Sequence, residues 1–95
     1  MLDELFQIIE DRKANPVEGS YTNRLLDAGE DEILKKIGEE AVEVILAAKA
    51  QGNQRLVEEL ADLVYHSLVL LAAKGLSLSD IREELSSRHF NSTRR

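Results

Sequence analysis

The fold is decided by residues 30–74, which read EDEILKKIGEEAVEVILAAKAQGNQRLVEELADLVYHSLVLLAAK. Apolar residues recur in this stretch at helical spacing, and the pattern breaks at Gly52-Asn53. Acidic residues at the start of residues 30–50 suit the positive end of a helix dipole, and asparagine is a good N-cap for residues 53–74. The sequence therefore predicts two long helices that form an antiparallel hairpin.

Shorter segments flank this hairpin. Apolar spacing predicts a helix over residues 2–13, which ends before Pro16 because a proline restricts the residue that precedes it. Residues 15–29 are rich in turn-forming residues and predict an ordered loop with one helical turn, and long loops in small domains are usually functional. A capping-box-like start predicts a last helix over residues 78–88. The predicted fold class is all-α, one small helical bundle spanning residues 1–95.

The composition excludes several classes of protein. The chain has 95 residues, 43% of them hydrophobic, with 18 acidic and 12 basic residues and a net charge of −6. A nucleic-acid-binding protein would need a basic face or an aromatic stacking platform, so we expect no nucleic-acid partner. The absence of cysteine excludes disulfides and thiolate metal sites, and no apolar run is long enough to span a membrane. We expect a soluble, cytoplasmic protein with no membrane partner.

The second long helix also indicates an oligomer. Its apolar residues, which include Leu63, Val64 and residues 68–73, surround it almost completely. A helix that is apolar all round must be covered on all sides, and a short chain has few helices with which to do so. We therefore expect a homodimer that forms through the hairpin. The alternative is a monomer in which this helix is central.

Each long helix carries an acid pair at the edge of its apolar stripe. Glu40 and Glu43 are neighbours on the first long helix, and Glu59 and Asp62 are neighbours on the second. Counted from Gly52 at about 1.5 Å per residue, the two pairs are level to within about one turn, so four carboxylates can converge. Acids this close repel one another unless they are protonated, paired with lysine or neutralised by a cation.

An all-oxygen ligand set selects hard ions, so the cluster predicts a site for Mg²⁺, with Mn²⁺ as the alternative ion, suited to phosphate chemistry. Two other interpretations stay open: the acids only solvate the helices, or they hold a di-iron site, although the Glu-x-x-His motif typical of such sites is absent. His66, one turn after Asp62, is either a partner of the acids or a buried core histidine.

These residues resemble a known group of enzymes. Glu40-x-x-Glu43 followed by Glu59-x-x-Asp62 resembles the double acidic motif of the all-α, MazG-like nucleotide pyrophosphohydrolases. Within that superfamily the chain is similar to the phosphoribosyl-ATP pyrophosphohydrolase family. The strings that carry this closer resemblance are Ser20-Tyr21-Thr22, KKIGEEA at residues 35–41 and ADLVYH at residues 61–66.

The resemblance implies Mg²⁺-dependent hydrolysis of phosphoribosyl-ATP to phosphoribosyl-AMP and pyrophosphate in histidine biosynthesis. The four acids, Glu40, Glu43, Glu59 and Asp62, are then the expected metal ligands and catalytic residues. The expected substrate-binding residues are Ser20, Tyr21, Thr22, Arg24 and Lys36, although Lys36 also suits a role in balancing the acids. The alternatives are a housekeeping nucleoside triphosphate pyrophosphohydrolase of the same superfamily and a helical dimer without enzymatic activity.

Overall fold

A computed structural model of the chain describes the backbone of residues 1–90 and the side chains of residues 1–88. This part of the chain is helical and contains no strand, which confirms the all-α prediction. Its helices are α1 (Leu2–Ala14), α2 (Tyr21–Ala28), α3 (Glu30–Leu46), α4 (Asn53–Ala73) and α5 (Leu78–Phe90), with a π-helical turn (Ala47–Gln51) between α3 and α4.

Helix α2 lies in the segment where the sequence predicted a loop with one helical turn, and that prediction was too short. The hydroxyl oxygen of Ser20 caps the helix by accepting a hydrogen bond from the backbone N–H of Asn23 at 3.2 Å. Gly29, with a positive φ of 101°, ends it. Local cap chemistry therefore makes a two-turn helix in a segment whose composition is typical of a loop.

The first long helix also ends earlier than the sequence predicted. The sequence predicted one helix over residues 30–50, but α3 ends at Leu46 and the chain continues as the π-helical turn to Gln51. Ala47 at the start of this turn is completely buried, and Gly52, with a φ of 89°, separates the turn from α4.

The core lies at one end of the molecule. Helices α3 and α4 form the most extensive contact between helices, and α1 and α2 pack against them. The core includes residues from all four helices, namely Phe6, Ile9, Leu25, Ile33, Leu68, Val69 and Ala72. Helix α4 is therefore covered within this chain near its C-terminal end, whereas Val57, Leu60 and Val64 nearer its N-terminal end remain 60%, 42% and 41% exposed.

The molecule is extended. Its radius of gyration is 15.0 Å, compared with about 12 Å for a compact domain of this length. Residues 81–88 of α5 are exposed, and an ion pair of 2.6 Å between Arg82 and Asp3 links this helix to α1. No helix within the described residues combines the length and hydropathy that a membrane span requires.

Candidate active site

Three carboxylates meet where α3 packs against α4. Each of Glu40, Glu59 and Asp62 offers a carboxylate oxygen, and these oxygens lie within 4.8 Å of one another. We call these three residues the acidic group. Glu59 is only 5% exposed, Glu40 is partly buried and Asp62 is exposed, so the group reaches from the protein interior to solvent. The i, i+3 spacing on α4 places Glu59 and Asp62 on the side that faces α3.

Glu40 is the electrostatically unusual member of this group. Its Oε2 atom is buried and has no hydrogen-bond partner among the described residues. Burial, together with the nearby carboxyls of Glu59 and Asp62, raises the pKa of Glu40 to about 7. An unpartnered oxygen beside other carboxylates requires either a proton or a cation, and a cation would satisfy all three side chains at once.

Glu43, the fourth predicted acid, lies beside the acidic group rather than within it. Its charge contributes to the raised pKa of Glu40, which places the two side chains near each other. Its carboxylate is not among the oxygens within 4.8 Å of one another. The structure thus brings together three of the four predicted acids and keeps the fourth at their margin.

The donor set of the acidic group fits a hard divalent cation. All of its ligand atoms are carboxylate oxygens, the type that Mg²⁺ and Mn²⁺ prefer. The unpartnered Oε2 of Glu40 is a free ligand atom, and the exposed Asp62 leaves room for water or phosphate oxygens to complete a coordination shell.

Arg55 borders the acidic group, and the sequence analysis missed it. Its guanidinium forms an ion pair with the buried carboxylate of Glu59, and it also contacts Glu58 at 2.8 Å. The available signal was the i, i+4 spacing of Arg55 and Glu59 on one helix. The side chain of Glu58 is about half exposed and lies outside the acidic group.

His66 joins the acidic group to α2. Its Nδ1–H donates to the backbone carbonyl of Asp62 at 2.8 Å, and its Nε2 accepts a hydrogen bond from the Tyr21 hydroxyl at 3.1 Å. The tautomer is assigned from these two partners. His66 is buried, as the core-histidine interpretation expects, and its contact with Asp62 is made to the backbone carbonyl and not to the carboxylate.

The remaining predicted residues of α2 form a compact polar and aromatic contact with α4. The buried Thr22 hydroxyl is hydrogen-bonded to the Tyr65 hydroxyl, and the rings of Tyr21 and Tyr65 are stacked with centroids 6.2 Å apart. The guanidinium of Arg24 lies 5.4 Å from the centre of the Tyr21 ring, a cation–π distance. These residues therefore hold the N-terminal turn of α2 on α4 just beyond the acidic group.

Two predicted substrate-binding residues have other partners. Ser20 uses its hydroxyl oxygen to cap α2. The ammonium of Lys36 lies 3.8 Å from the exposed carboxylate of Glu39, so Lys36 pairs with that residue and not with the acidic group.

Comparison with known proteins decides the family. A family model for phosphoribosyl-ATP pyrophosphohydrolase matches residues 2–89. The chain belongs to this family. The three strings that carried the resemblance lie within the matched residues, so the expected family membership is confirmed.

The names of individual relatives of this chain agree with the family assignment. A phosphoribosyl-ATP pyrophosphatase of Clostridium acetobutylicum is 52% identical over 89 residues, which cover 94% of this chain and 81% of the relative. One from Bacillus cereus strain AH187 is 55% identical over 85 residues, covering 90% and 79%. The histidine biosynthesis bifunctional protein HisIE of Caldanaerobacter subterraneus is 51% identical over 89 residues, which make up 94% of this chain and 43% of that protein.

Proposed function

We propose that the chain hydrolyses phosphoribosyl-ATP to phosphoribosyl-AMP and pyrophosphate, in histidine biosynthesis, in a Mg²⁺-dependent reaction at the acidic group. The observation that carries this proposal is the buried, unpartnered Oε2 of Glu40 within a set of three converging carboxylates. In a chain of the phosphoribosyl-ATP pyrophosphohydrolase family, such a set is suited to a metal that binds polyphosphate.

The four predicted acids have related roles in this proposal. Glu40, Glu59 and Asp62 would hold the metal, and Glu43 at their margin supplies the fourth carboxylate of the site. Bound Mg²⁺ would neutralise these acids, polarise the phosphate oxygens and lower the pKa of a bound water. Water adds across the α–β phosphoanhydride, so one P–O bond forms, one breaks, and pyrophosphate leaves.

The substrate-binding role of Ser20, Tyr21, Thr22, Arg24 and Lys36 stays a proposal. Its support is placement: the first turn of α2 packs on α4 just beyond Asp62, through contacts of Tyr21 and Thr22. Lys36 precedes Glu40 by one turn of α3, and its long contact with an exposed carboxylate leaves its ammonium able to pair with a phosphate oxygen.

We also propose that α3 and α4 form an antiparallel hairpin and that two copies pair through it. The extended shape and the exposed apolar side chains on these helices support a dimer. Those side chains include Val42, Ile45, Val57, Leu60 and Val64. A cytoplasmic location is part of the proposal, because phosphorylated nucleotides do not cross membranes unaided.

The deciding experiment measures pyrophosphate release from phosphoribosyl-ATP and from ATP, with Mg²⁺ and with a chelator. We expect release from phosphoribosyl-ATP that requires Mg²⁺ or Mn²⁺ and greatly exceeds release from ATP. Equal turnover of both substrates would favour a housekeeping pyrophosphohydrolase. No release from either substrate at any Mg²⁺ concentration would contradict an enzymatic role for the acidic group.

A further inference from the structure

We propose that Arg24 binds the phosphate of the substrate's phosphoribosyl group, and that Tyr21 and His66 position Arg24 for this contact. Arg24 is then the residue that distinguishes phosphoribosyl-ATP from ATP. This inference rests on the proposed function, and it assigns to the first turn of α2 a task separate from that of the acidic group.

Arg24 is an available cation in an acidic protein. Among the arginines of residues 1–90, it alone has no carboxylate within ion-pair distance, since Arg12, Arg55, Arg82 and Arg88 all have one. Its side chain is exposed. A chain with a net charge of −6 repels a polyanionic substrate, so cations near the site matter for binding. The arginine guanidinium is also the group best suited to bind a phosphate through two hydrogen bonds.

The position of Arg24 is set by contacts that begin at the α4 backbone beside the acidic group. The Asp62 carbonyl accepts the hydrogen bond from His66, and His66 accepts the hydrogen bond from the hydroxyl of Tyr21. The Tyr21 ring lies under the Arg24 guanidinium at 5.4 Å. A second hydrogen bond between α2 and α4, between the hydroxyls of Thr22 and Tyr65, holds this turn at another point besides Tyr21. These contacts therefore link the position of Arg24 to that of Asp62, a residue of the proposed metal site.

The site has a cation beyond each end of the acidic group. Along α4 the order is Arg55, Glu59, Asp62 and His66, and Arg55 pairs with Glu59 while His66 leads through Tyr21 to Arg24. Arg55 and His66 are separated by about 16 Å along the helix axis, at about 1.5 Å per residue.

The substrate has the same two-ended arrangement of charge. Phosphoribosyl-ATP carries a triphosphate at one end and the phosphate of its phosphoribosyl group at the other, whereas ATP has phosphate at one end only. The acidic group and Arg55 occupy the triphosphate end, because the metal and the scissile bond lie there. The phosphoribosyl phosphate is left for Arg24.

The test compares substrates in the full chain with Mg²⁺. We expect Arg24→Gln to raise KM for phosphoribosyl-ATP by about 10- to 100-fold, the range for a lost charge-assisted hydrogen bond. KM for ATP, or its inhibition constant where ATP is a poor substrate, should not change. Arg24→Lys should restore part of the loss. Lys49→Gln, on the π-helical turn, is the control that removes one positive charge elsewhere, and it should behave as the unmodified chain.

Two outcomes of this comparison overturn the proposal. One is an equal rise in KM for both substrates, which would place Arg24 at the triphosphate. The other is an unchanged KM for phosphoribosyl-ATP. A chain that releases no pyrophosphate from phosphoribosyl-ATP would instead contradict the proposed function.

A binding measurement tests the role of Arg24 even if the chain releases no pyrophosphate. In an NMR titration with ribose 5-phosphate, the amides of residues 20–24 should shift, and Arg24→Gln should abolish those shifts. Equal binding by both proteins, or shifts confined to other regions, overturns the proposal.

A separate variant tests whether Tyr21 and His66 position Arg24. Tyr21→Phe removes the hydroxyl that reaches His66 but keeps the ring beneath Arg24. We expect KM for phosphoribosyl-ATP to rise by about 3- to 10-fold with no change for ATP, because one neutral hydrogen bond is lost. A general loss of structure would affect both substrates alike. An equal effect on both substrates, or none on either, would overturn the positioning role of Tyr21 and His66.

Discussion

Glu59 and Arg55 form an ion pair across one turn of α4 in which the carboxylate is buried and the guanidinium is about half exposed. Glu59 is also the acid that lies deepest in the acidic group. Without a metal, the guanidinium is therefore the nearest counter-charge to a carboxylate that is surrounded by other acids. Arg55 and a bound cation serve the same carboxylate, so their effects on stability should depend on each other.

We expect Arg55→Gln to destabilise the metal-free protein by about 1–2 kcal/mol, because a buried carboxylate then loses its partner. Added Mg²⁺ should raise the melting temperature of Arg55→Gln by more than it raises that of the unmodified chain, since the cation replaces the missing charge. Thermal denaturation followed by circular dichroism, with a chelator and with Mg²⁺, measures both effects.

Arg88→Gln is the matched control for this prediction. Arg88 and Glu84 form an i, i+4 pair at 2.9 Å on α5 with both side chains exposed, so its loss should change stability by less than about 0.5 kcal/mol. Equal small changes for the two arginine variants would show that Arg55 does not compensate the acidic group.

The raised pKa of Glu40 predicts a pH dependence of stability in the metal-free protein. With an ordinary pKa of 4.5 and a folded-state pKa of about 7, the folded state binds more protons than the unfolded state between these values. Stability should therefore be greatest below pH 4.5 for this group and should fall as the pH rises through 7, by on the order of 1–3 kcal/mol. Urea denaturation at several pH values between about 5 and about 8 measures this slope.

Glu40→Gln should remove that slope and stabilise the metal-free protein near pH 8, because an amide cannot ionise beside the other acids. The control is Glu39→Gln, which changes an adjacent, exposed carboxylate and should retain the slope. An unchanged slope in Glu40→Gln would assign the pH dependence to another group.

The catalytic prediction separates the acids of the site from Glu58, the remaining acid of α4. Glu59→Gln and Asp62→Asn keep size and remove a charged ligand, so each should lower kcat/KM by orders of magnitude in the pyrophosphate assay. Glu43→Gln, at the margin of the acidic group, should have an effect in the same direction.

Glu58→Gln is the neighbouring control, since that carboxylate contacts Gln54 and Arg55 and lies outside the acidic group. Circular dichroism should show that all of these variants remain folded. Similar, mild losses across all four would mean that the acids only solvate the helix.

Much of the fold follows from sequence because long helices leave a strong periodic pattern. The periodic pattern of residues 30–74 predicted the two long helices, and the break at Gly52 predicted where they are connected. The length of helix α2 was underestimated because the helix depends on its two caps, Ser20 and Gly29, and on packing of Leu25 into the core. Packing against distant residues is not visible in local composition.

The site shows the same division. The acids of the acidic group could be predicted because i, i+3 spacing and a helix connection are both local features. The hydrogen bond from Tyr21 to His66 joins residues 45 positions apart, and it depends on how α2 packs against α4. No spacing rule within one helix reveals such a contact.

The last prediction concerns the dimer. The sequence predicted a dimer partly from apolar residues 68–73, but Leu70 and Leu71 pack against the core of the chain itself. The large apolar residues of α4 that are exposed are instead Val57, Leu60 and Val64, spaced by three and four positions on one face that continues, one turn later, to the buried Leu68. An interface between two copies should therefore include Leu60.

We expect Leu60→Glu to weaken the dimer while the helices within each copy remain folded. A two-fold interface contains the substitution twice, and each leucine contributes about 1.5–3 kcal/mol when buried, so Kd should rise by at least about 100-fold. Sedimentation velocity at micromolar concentration measures the change, and circular dichroism checks the helix content. Ile8→Glu is the control, because Ile8 is likewise about half exposed, at 50%, but belongs to α1 and not to α4. A monomeric unmodified chain, or a dimer insensitive to Leu60→Glu, would refute pairing through this face.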